Sequence, residues 1–303
     1  MQPRPVIAGF DGSPESLAAV EWAAKEAERR GAPLQLLYAW SPVPFMPGAI
    51  SPEAAEQRTI DGIVRRGVEH AEHTFPAVEL ETRTIERPPT AALVEAAEEA
   101  ELLVLGSRGL SGFTGFLVGS VALGVVAHAT GPVVLVRARP AEPQDAPRPD
   151  SDGSAQDRPP AQEVVLGLDV SAPCDQLIDF AFESALLRGA RLQIVHAWGD
   201  TQARTLDPSG RSLIEAPQTE EQWTKFVTAV LRPWQEKYPS VPVARTLAKG
   251  KPAARLLSAA EGCDLLVVGR RRRERPFPGP QTGSVTHAVI HHARCPVAVV
   301  PHP

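Results

Sequence analysis

The sequence predicts an α/β protein made of two tandem doubly wound domains, each with a five-stranded parallel sheet. Three observations support this fold class. Short apolar runs rich in Val, Ile and Leu alternate with longer helical patterns. This alternation occurs twice along the 303 residues, a length that itself favours about two domains. A segment rich in Pro, Asp and Gln separates the two copies.

The two copies are recognised by segments that recur at a constant offset. Residues 6–14 (VIAGFDGSP) recur as residues 164–172 (VVLGLDVSA). Asp11 and Asp169 therefore lie 158 positions apart. A constant offset over a whole βαβ stretch indicates duplication. The expected organisation is a first domain at residues 1–138, a Pro/Asp-rich linker at 139–162 and a second domain at 163–303.

Five segments of the first copy are predicted as strands. Four of them are almost continuously apolar, as expected for parallel strands that helices cover on both faces. Ser13 is placed to cap the helix after the first strand, with Pro14 at its first position and Gly31 at its end. The predicted strands are Val6 to Phe10, Leu34 to Ala39, Val78 to Ile85, Leu102 to Leu105 and Val133 to Val136.

Composition excludes several classes of protein. With 43% hydrophobic and 22% charged residues, the chain has the make-up of a soluble globular protein. Its net charge of -5 gives no long-range attraction to nucleic acid or anionic lipid, so neither is expected as a partner. The apolar stretch Phe116 to Val136 is interrupted by Gly131 and Pro132. We interpret it as a buried helix followed by a buried strand, not as a membrane span.

The amino terminus and the cysteines bear on location. Residues 1–5 contain no apolar stretch like that of a signal peptide, so a cytoplasmic location is expected. Cys174, Cys263 and Cys295 form no Cys-x-x-Cys pair and are expected as reduced thiols. His287 and His291 have helical spacing, but no carboxylate or second cysteine completes a ligand set, so no metal site is predicted.

A glycine-rich segment follows the fourth predicted strand, where ligands of open parallel sheets bind. It covers residues 106–120 (GSRGLSGFTGFLVGS), whose backbone N–H groups can closely approach phosphate oxygens. Gly119 and Ser120 open a helix whose N-terminal dipole favours an anion, and Arg108 can add a charged hydrogen bond. The spacing matches neither a P-loop nor a dinucleotide fingerprint. A plain connecting loop stays open as the alternative.

These residues carry a family resemblance. The pattern Gly106-x2-Gly109-x9-Gly119-Ser120, the opening GFDGS motif and the tandem arrangement resemble the ATP-binding class of universal stress proteins. The resemblance implies a Rossmann-like fold and ATP as the bound cofactor, with or without Mg²⁺. One departure is Ala122, where ATP-binding relatives can carry a hydroxyl residue.

Site residues of the first copy are implied by the same resemblance. Those after strands one and two would lie beside the adenosine, and those around the glycine-rich segment would line or hold the phosphates. The implied residues are Gly9, Asp11, Ala39, Gly106, Ser107, Arg108, Gly109, Gly119, Ser120 and Val121.

The second copy departs further from the pattern. Arg272 replaces the second motif glycine, and prolines at 276, 278 and 280 fix the backbone of its loop. Five arginines occur within residues 270–275, where capture of an anion and a solvated loop are both open readings. The second site is therefore expected to be weaker. Its candidate residues are Asp169, Gly269, Gly283, Ser284 and Val285.

The leading hypothesis is a universal stress protein whose first copy binds an adenine nucleotide and acts as a nucleotide-dependent regulator. No Ser/His/Asp or Cys/His arrangement and no carboxylate pair beside the loop indicates catalysis. A slow ATPase and an interaction module without nucleotide are the alternatives. The resemblance also implies that the copies pack as an internal pseudo-dimer through their last strands, and it leaves dimerisation of whole chains open.

Overall fold

A computed structural model describes most of the chain apart from several loops and the predicted linker. The boundaries predicted for the linker stay predictions, because residues 139–161 lie outside the described part, as do the side chains of residues 53–57. The described residues are 3–41, 53–107, 118–138, 162–170, 174–198, 219–272 and 282–303.

Strands and helices alternate through both halves, as the sequence predicts. The strands are β1 (Val6–Gly9), β2 (Leu34–Trp40), β3 (Leu80–Glu86), β4 (Leu102–Ser107), β5 (Val133–Arg137), β6 (Glu163–Gly167), β7 (Arg191–Trp198), β8 (Val243–Lys249), β9 (Leu265–Arg271) and β10 (Val297–His302). The helices are α1 (Pro14–Arg30), α2 (Glu53–Thr74), α3 (Pro89–Glu99), α4 (Ser120–His128), α5 (Asp175–Arg188), α6 (Glu220–Lys237), α7 (Pro252–Ala259) and α8 (Ser284–His292).

The ten strands form one sheet in the order β3-β2-β1-β4-β5-β10-β9-β6-β7-β8. Neighbouring strands within each half are parallel. The pair β5 and β10 is antiparallel and joins the two halves, with Val133 opposite Val299. In the first half the strand order reverses between β1 and β4, and in the second half between β6 and β9. The predicted α/β fold class is confirmed.

Local chemistry sets the bounds of α1 as predicted. The Ser13 hydroxyl accepts a hydrogen bond from the N–H of Ser16 at 3.2 Å, and Pro14 occupies the first helical position. Gly31 ends the helix with φ 58°, in the left-handed region that glycine adopts without a Cβ clash. Gly189 ends α5 in the same way, with φ 59°.

Apolar layers cover both faces of the sheet. Alternating strand residues point to opposite faces, so that Val6 packs in one buried cluster and Ile7 in the other. The described part of the apolar stretch 116–136 is α4 followed by β5, as expected. None of the helices within the described ranges combines the length and apolar character that crossing a membrane requires.

A buried cluster of charges joins α1 to α5 across the two halves. Glu26 is 0% exposed and lies 2.5 Å from Nη2 of Arg188 and 2.8 Å from Nε of Arg30. Arg30 also lies 3.0 Å from the Glu183 carboxylate of the other half. Arg30 and Arg188 are equivalent positions of the two copies, 158 residues apart. One carboxylate therefore neutralises a duplicated pair of arginines.

The same two arginines lie over aromatic rings of the opposite copy. Arg30 lies 5.6 Å from the ring centroid of Phe180, and Arg188 lies 5.6 Å from that of Trp22. These two contacts are related by the internal symmetry of the duplication, but Glu26 has no acidic counterpart in the second copy. Ser184 occupies the position equivalent to Glu26, and its buried hydroxyl has no hydrogen-bond partner among the described residues.

Burial raises the pKa of Glu26, but attraction to Arg188 and Arg30 outweighs it and holds the pKa below its ordinary value. A carboxyl whose pKa is lower in the folded state stabilises the fold at pH values above its unfolded pKa, about 4.3. The contribution of Glu26 is therefore complete at neutral pH and is lost as the pH falls below that value.

Two further arginines reach from one half to the other. Arg137, at the end of β5, donates from Nη2 to the carbonyl of Ile290 in α8 at 2.9 Å. Arg270, near the end of β9, donates to the carbonyl of Ala129, the residue that follows α4. Each half thus supplies an arginine that hydrogen-bonds backbone at the end of a helix in the other.

We expect Glu26→Ala to lower the free energy of unfolding by about 3–5 kcal/mol, because it leaves two buried guanidinium groups without their shared carboxylate. Chemical denaturation at neutral pH measures this loss. The matched control is Glu69→Ala, which removes the exposed partner of Arg65 and should change stability by less than about 1 kcal/mol. Equal effects of the two substitutions would show that the Glu26 cluster does not stabilise the fold.

Candidate functional site

A turn after β1 shapes one side of the candidate site. The Asp11 carboxylate accepts hydrogen bonds from the N–H of Ser13 at 3.0 Å and from its hydroxyl at 2.5 Å. Gly12 adopts φ 81°, which permits the sharp change of direction. The turn therefore holds Asp11 at the carboxyl end of β1, directly before α1.

A cavity of about 280 Å³ opens where the strand order of the first half reverses, between the carboxyl ends of β1 and β4. Its apolar part is formed by strand residues and by α3, and its polar part by the start of α1 and the start of α4. The described lining residues are Gly9, Phe10, Asp11, Ser13, Glu15, Ser16, Leu37, Ala39, Pro89, Leu93, Leu105, Gly106, Gly119, Ser120, Val121 and Ala122.

Helix α4 begins at this cavity without a side-chain cap. Gly119 is its N-cap residue, with φ −62° and ψ 154°, and no described side chain caps the helix there. The first N–H groups of a helix have no partner within the helix and form a site that attracts anions. Ser120, exposed at the first helical position, adds a hydroxyl beside them.

Two motif glycines of the first copy differ in what surrounds them. A Cβ built on Gly106 would lie 2.5 Å from the backbone carbonyl of Glu15, so α1 can approach β4 only because residue 106 is glycine. A Cβ built on Gly119 would meet no described atom within 4 Å, and its φ is one that any residue adopts. Gly106 is therefore explained by packing, whereas neither the φ of residue 119 nor its described neighbours require glycine there.

The structure brings seven of the ten implied residues to the cavity. They are Gly9, Asp11, Ala39, Gly106, Gly119, Ser120 and Val121. Ser107 does not line it, because its buried hydroxyl donates to the carbonyl of Val136 at 3.2 Å. Arg108 and Gly109 lie outside the described residues.

Sequence reasoning missed the apolar lining and one acidic residue. Leu93 and Pro89 come from α3, which carries no motif, and only the three-dimensional packing brings them beside β1. Glu15 lies one residue after Pro14, and no sequence motif singles it out. The helical N-terminus predicted from Ser13 was the signal that could have placed it beside Asp11.

The charged residues in the described lining are acidic. Asp11 and Glu15 line the cavity, and no basic residue does so within the part of the chain that the structure describes. The sequence predicted no carboxylate pair beside the loop, and the structure nevertheless places two acidic residues on this wall. An anion bound here would need a positive charge from elsewhere.

The second half has a cavity of about 430 Å³ at the equivalent place. All five of its candidate residues, Asp169, Gly269, Gly283, Ser284 and Val285, line it. Gly283 repeats the geometry of Gly119, with φ −60° and no described atom within 4 Å of a built Cβ.

Its polar lining differs from that of the first cavity. Arg271, His196 and His302 contribute basic residue types. The Thr286 hydroxyl, equivalent in position to Ala122, donates to the carbonyl of Gly269 at 2.8 Å and so ties α8 to β9. The second cavity is thus larger and more basic than the first, although its motif is less complete.

The arginine run does not form a single loop. Strand β9 continues through Arg271, so the first two arginines belong to the sheet. Arg270 is 5% exposed and hydrogen-bonds Ala129 of the other half, so reading it as part of a solvated loop was wrong. Arg271 lines the second cavity, and residues 273–275 lie outside the described chain.

The histidines of α8 form no metal centre in the described chain. The rings of His287 and His291 pack against each other at an angle of 39°, with centroids 4.5 Å apart. Across the described ranges, no three metal-ligating side chains are grouped closely enough to hold an ion.

Fold and site together define a class of protein: a duplicated doubly wound α/β domain whose cavity lies at a strand-order reversal and faces the uncapped start of a helix. Comparison with known proteins identifies the family. The profile of the universal stress protein family matches residues 3–137 and 160–301. The chain belongs to the universal stress protein family.

Individual relatives support this assignment. Universal stress protein Rv1996 of Mycobacterium tuberculosis is 31% identical over 314 residues, covering 97% of this chain and 94% of that protein. Universal stress protein Rv2623 of the same organism is 32% identical over 301 residues, covering 97% and 95%. The crystal structure of a universal stress protein from Archaeoglobus fulgidus matches 100% of both chains with a TM-score of 0.68 and 17% identity, which shows a shared fold.

The contrast between the two glycines predicts effects of different size on stability. Gly106→Ala should lower the free energy of unfolding by about 3 kcal/mol, because the new Cβ meets immobile backbone. Gly119→Ala should change it by less than about 1 kcal/mol, since the Cβ enters open space. Urea denaturation of both variants checks this. A large loss for Gly119→Ala would mean that the fold itself requires this glycine.

Proposed function

We propose that the first copy binds an adenine nucleotide, ATP, in the cavity between β1 and β4. The observation that carries this proposal is Gly119. Gly119 is the N-cap residue of α4, which begins at the cavity without a described side-chain cap. Neither its φ nor its described neighbours require glycine. Close approach of a phosphate to the first N–H groups of α4 supplies the missing reason, because a side chain there would occupy the phosphate position.

The lining divides in a way that suits a nucleotide. Leu37, Leu93 and Leu105 offer an apolar surface for a flat base, beside Ala39 at the end of β2. Gly9 and Asp11 would lie beside the adenosine, as the resemblance implies. Ser120 and Val121 at the start of α4 would hold the phosphates, with Gly106, Arg108 and Gly109 on the phosphate side. The Ser107 hydroxyl does not line the cavity. It donates to the carbonyl of Val136 and so holds the end of β4 against β5.

Mg²⁺ fits the acidic lining. This ion takes one or two carboxylates together with phosphate oxygens and water. Asp11 and Glu15 supply the carboxylates at the cavity wall, where the described lining has no basic residue. The ion would neutralise phosphate charge that these two residues otherwise repel. We therefore propose that the ligand is the magnesium complex of ATP.

Binding without turnover is the activity that we assign to this site. Occupancy of the cavity would make the chain a nucleotide-dependent regulator of the stress response, as family membership suggests. The second cavity, with Asp169, Gly269, Gly283, Ser284 and Val285, would bind nucleotide more weakly because its loop pattern is interrupted. We also propose that the two copies act as an internal pseudo-dimer, supported by the pairing of β5 with β10 and by the Glu26 cluster.

Titration with ATP and Mg²⁺ tests the proposal. A hundredfold excess of ligand over its Kd should stabilise the chain by about 2.7 kcal/mol in a denaturation experiment. Gly119→Val should weaken binding at least tenfold while the variant stays folded, because its side chain occupies the phosphate position. The matched control is Gly283→Val, which makes the same change at the second cavity.

Three outcomes separate the alternatives. One equivalent of bound nucleotide per chain, lost in Gly119→Val and kept in Gly283→Val, supports the assignment. Release of ADP and phosphate on prolonged incubation would indicate the slow ATPase. Absence of any stabilisation by ATP would contradict nucleotide binding and favour an interaction module.

Dependence on Mg²⁺ is a separate prediction. Chelation of the ion should reduce affinity for ATP at least tenfold, because two acidic residues then face the unshielded phosphates. Calorimetric titrations of the wild type with and without EDTA measure the change. In the double variant Asp11→Asn, Glu15→Gln the effect of EDTA should be smaller. Equal affinity of the wild type in both buffers would refute a role for the ion.

A further inference from the structure

Cys263 and Cys295 lie side by side at the amino ends of β9 and β10, the ends opposite to the second cavity. Each cysteine comes two residues before a strand, Cys263 before β9 and Cys295 before β10. These strands are parallel neighbours with Leu266 opposite Val297. That register, continued toward the amino ends, puts Cys295 next to Asp264 and therefore beside Cys263.

The two side chains share one apolar environment. Both cysteines are 7% exposed and belong to the same buried cluster. The two thiols are close enough to affect each other's ionisation. A disulfide between them is geometrically reasonable, because neighbouring strands bring Cα atoms into the range that disulfides span.

The environment makes the two thiols unequal. The hydrogen bond from the Cys263 thiol, with a smaller contribution from the positive charge of Arg137, lowers the pKa of Cys295 against the effect of burial. The same hydrogen bond, together with burial, raises the pKa of Cys263. Cys295 is therefore the sulfur that ionises first and attacks, because the thiolate is the nucleophile. Arg137 comes from the other half of the chain, at the end of β5.

We propose that Cys263 and Cys295 form a redox-active dithiol that hydrogen peroxide or an organic hydroperoxide oxidises to an intramolecular disulfide. The Cys295 thiolate attacks the peroxide oxygen, the O–O bond breaks, and water or an alcohol leaves after protonation, with sulfenic acid at Cys295. The Cys263 sulfur then attacks the Cys295 sulfur, the S–S bond forms, the S–O bond breaks and the hydroxyl leaves as water with the proton of the Cys263 thiol. The protein loses two electrons and two protons, and the peroxide gains them.

The third cysteine provides an internal control. Cys174 precedes α5 and packs in the other apolar cluster. Burial and the nearby Asp175 and Asp169 raise its pKa to about 11. It has neither a thiol partner nor a described cationic neighbour that favours the thiolate, so it should stay reduced when the pair is oxidised.

The dithiol is independent of the proposed nucleotide site. Cavities in both halves open at the carboxyl ends of the strands, whereas Cys263 and Cys295 lie before the amino ends of β9 and β10. Failure of ATP to bind would leave this inference untouched. The bond would fix the start of β10 to β9, next to the strand pair that joins the two halves.

Peroxide treatment of the reduced full-length chain tests the proposal. The native protein should lose about 2 Da on oxidation and should take up two fewer alkyl groups, at Cys263 and Cys295. A proteolytic map should show one disulfide-linked peptide that joins these positions, and a dithiol reductant should restore the two thiols. Cys174→Ala should behave as the wild type.

Single variants test the order of the steps. Cys263→Ala should form a sulfenic acid on Cys295 that dimedone traps, more slowly than in the wild type because the Cys263 thiol that lowers the pKa of Cys295 is absent. Cys295→Ala should form neither product. Arg137→Gln should slow disulfide formation several-fold without changing the product. The inference is overturned if native protein keeps both thiols under peroxide that oxidises them in urea. Linkage through Cys174 or only between chains would overturn it as well.

Discussion

The antiparallel pair of β5 with β10 is the contact on which the rest of the structure depends. Each half alone would end in an apolar strand with unpaired N–H and C=O groups, which is unfavourable in water and prone to aggregation. Pairing these edges converts two five-stranded sheets into one of ten strands. It also brings α1 against α5, and only in that arrangement can Glu26 neutralise Arg30 and Arg188 together. Strand pairing, aromatic packing and charge neutralisation all occur along this one seam.

Much of the fold was predictable because its signals are local. Ser13, Pro14 and Gly31 define α1 by their own chemistry, and apolar runs mark the buried strands. The site was only partly predictable, since Gly106 and Gly119 look alike in sequence. What separates them is the distance from residue 106 to the backbone of α1, a contact between segments about 90 residues apart in the chain. The place of Leu93 in the first cavity and the contact of Arg270 with the other half were not predicted for the same reason. No local pattern specifies which distant element a side chain contacts.

Duplication did not preserve every interaction. Arg30 and Arg188 occupy equivalent positions and each has an aromatic partner in the other copy. Of the two equivalent positions 26 and 184, only the first carries a carboxylate, that of Glu26. A second carboxylate at position 184 would add another charge to a buried cluster that already contains Glu26, and each buried ion costs desolvation energy. Ser184 is small and neutral there, and its hydroxyl lacks a partner among the described residues. The two halves are therefore complementary rather than identical where they meet.

The arginines that cross between the halves give the chain a property that separate domains lack. Helix α4 begins at the first cavity, and the residue after its end accepts a hydrogen bond from Arg270, which precedes a lining residue of the second cavity. Helix α8 begins at the second cavity and holds Arg137 of the first half. A shift of either helix would therefore disturb a hydrogen bond to an arginine of the other half. Any coupling of ligand binding through these contacts would be reciprocal, because each ligand would change the affinity for the other by the same factor.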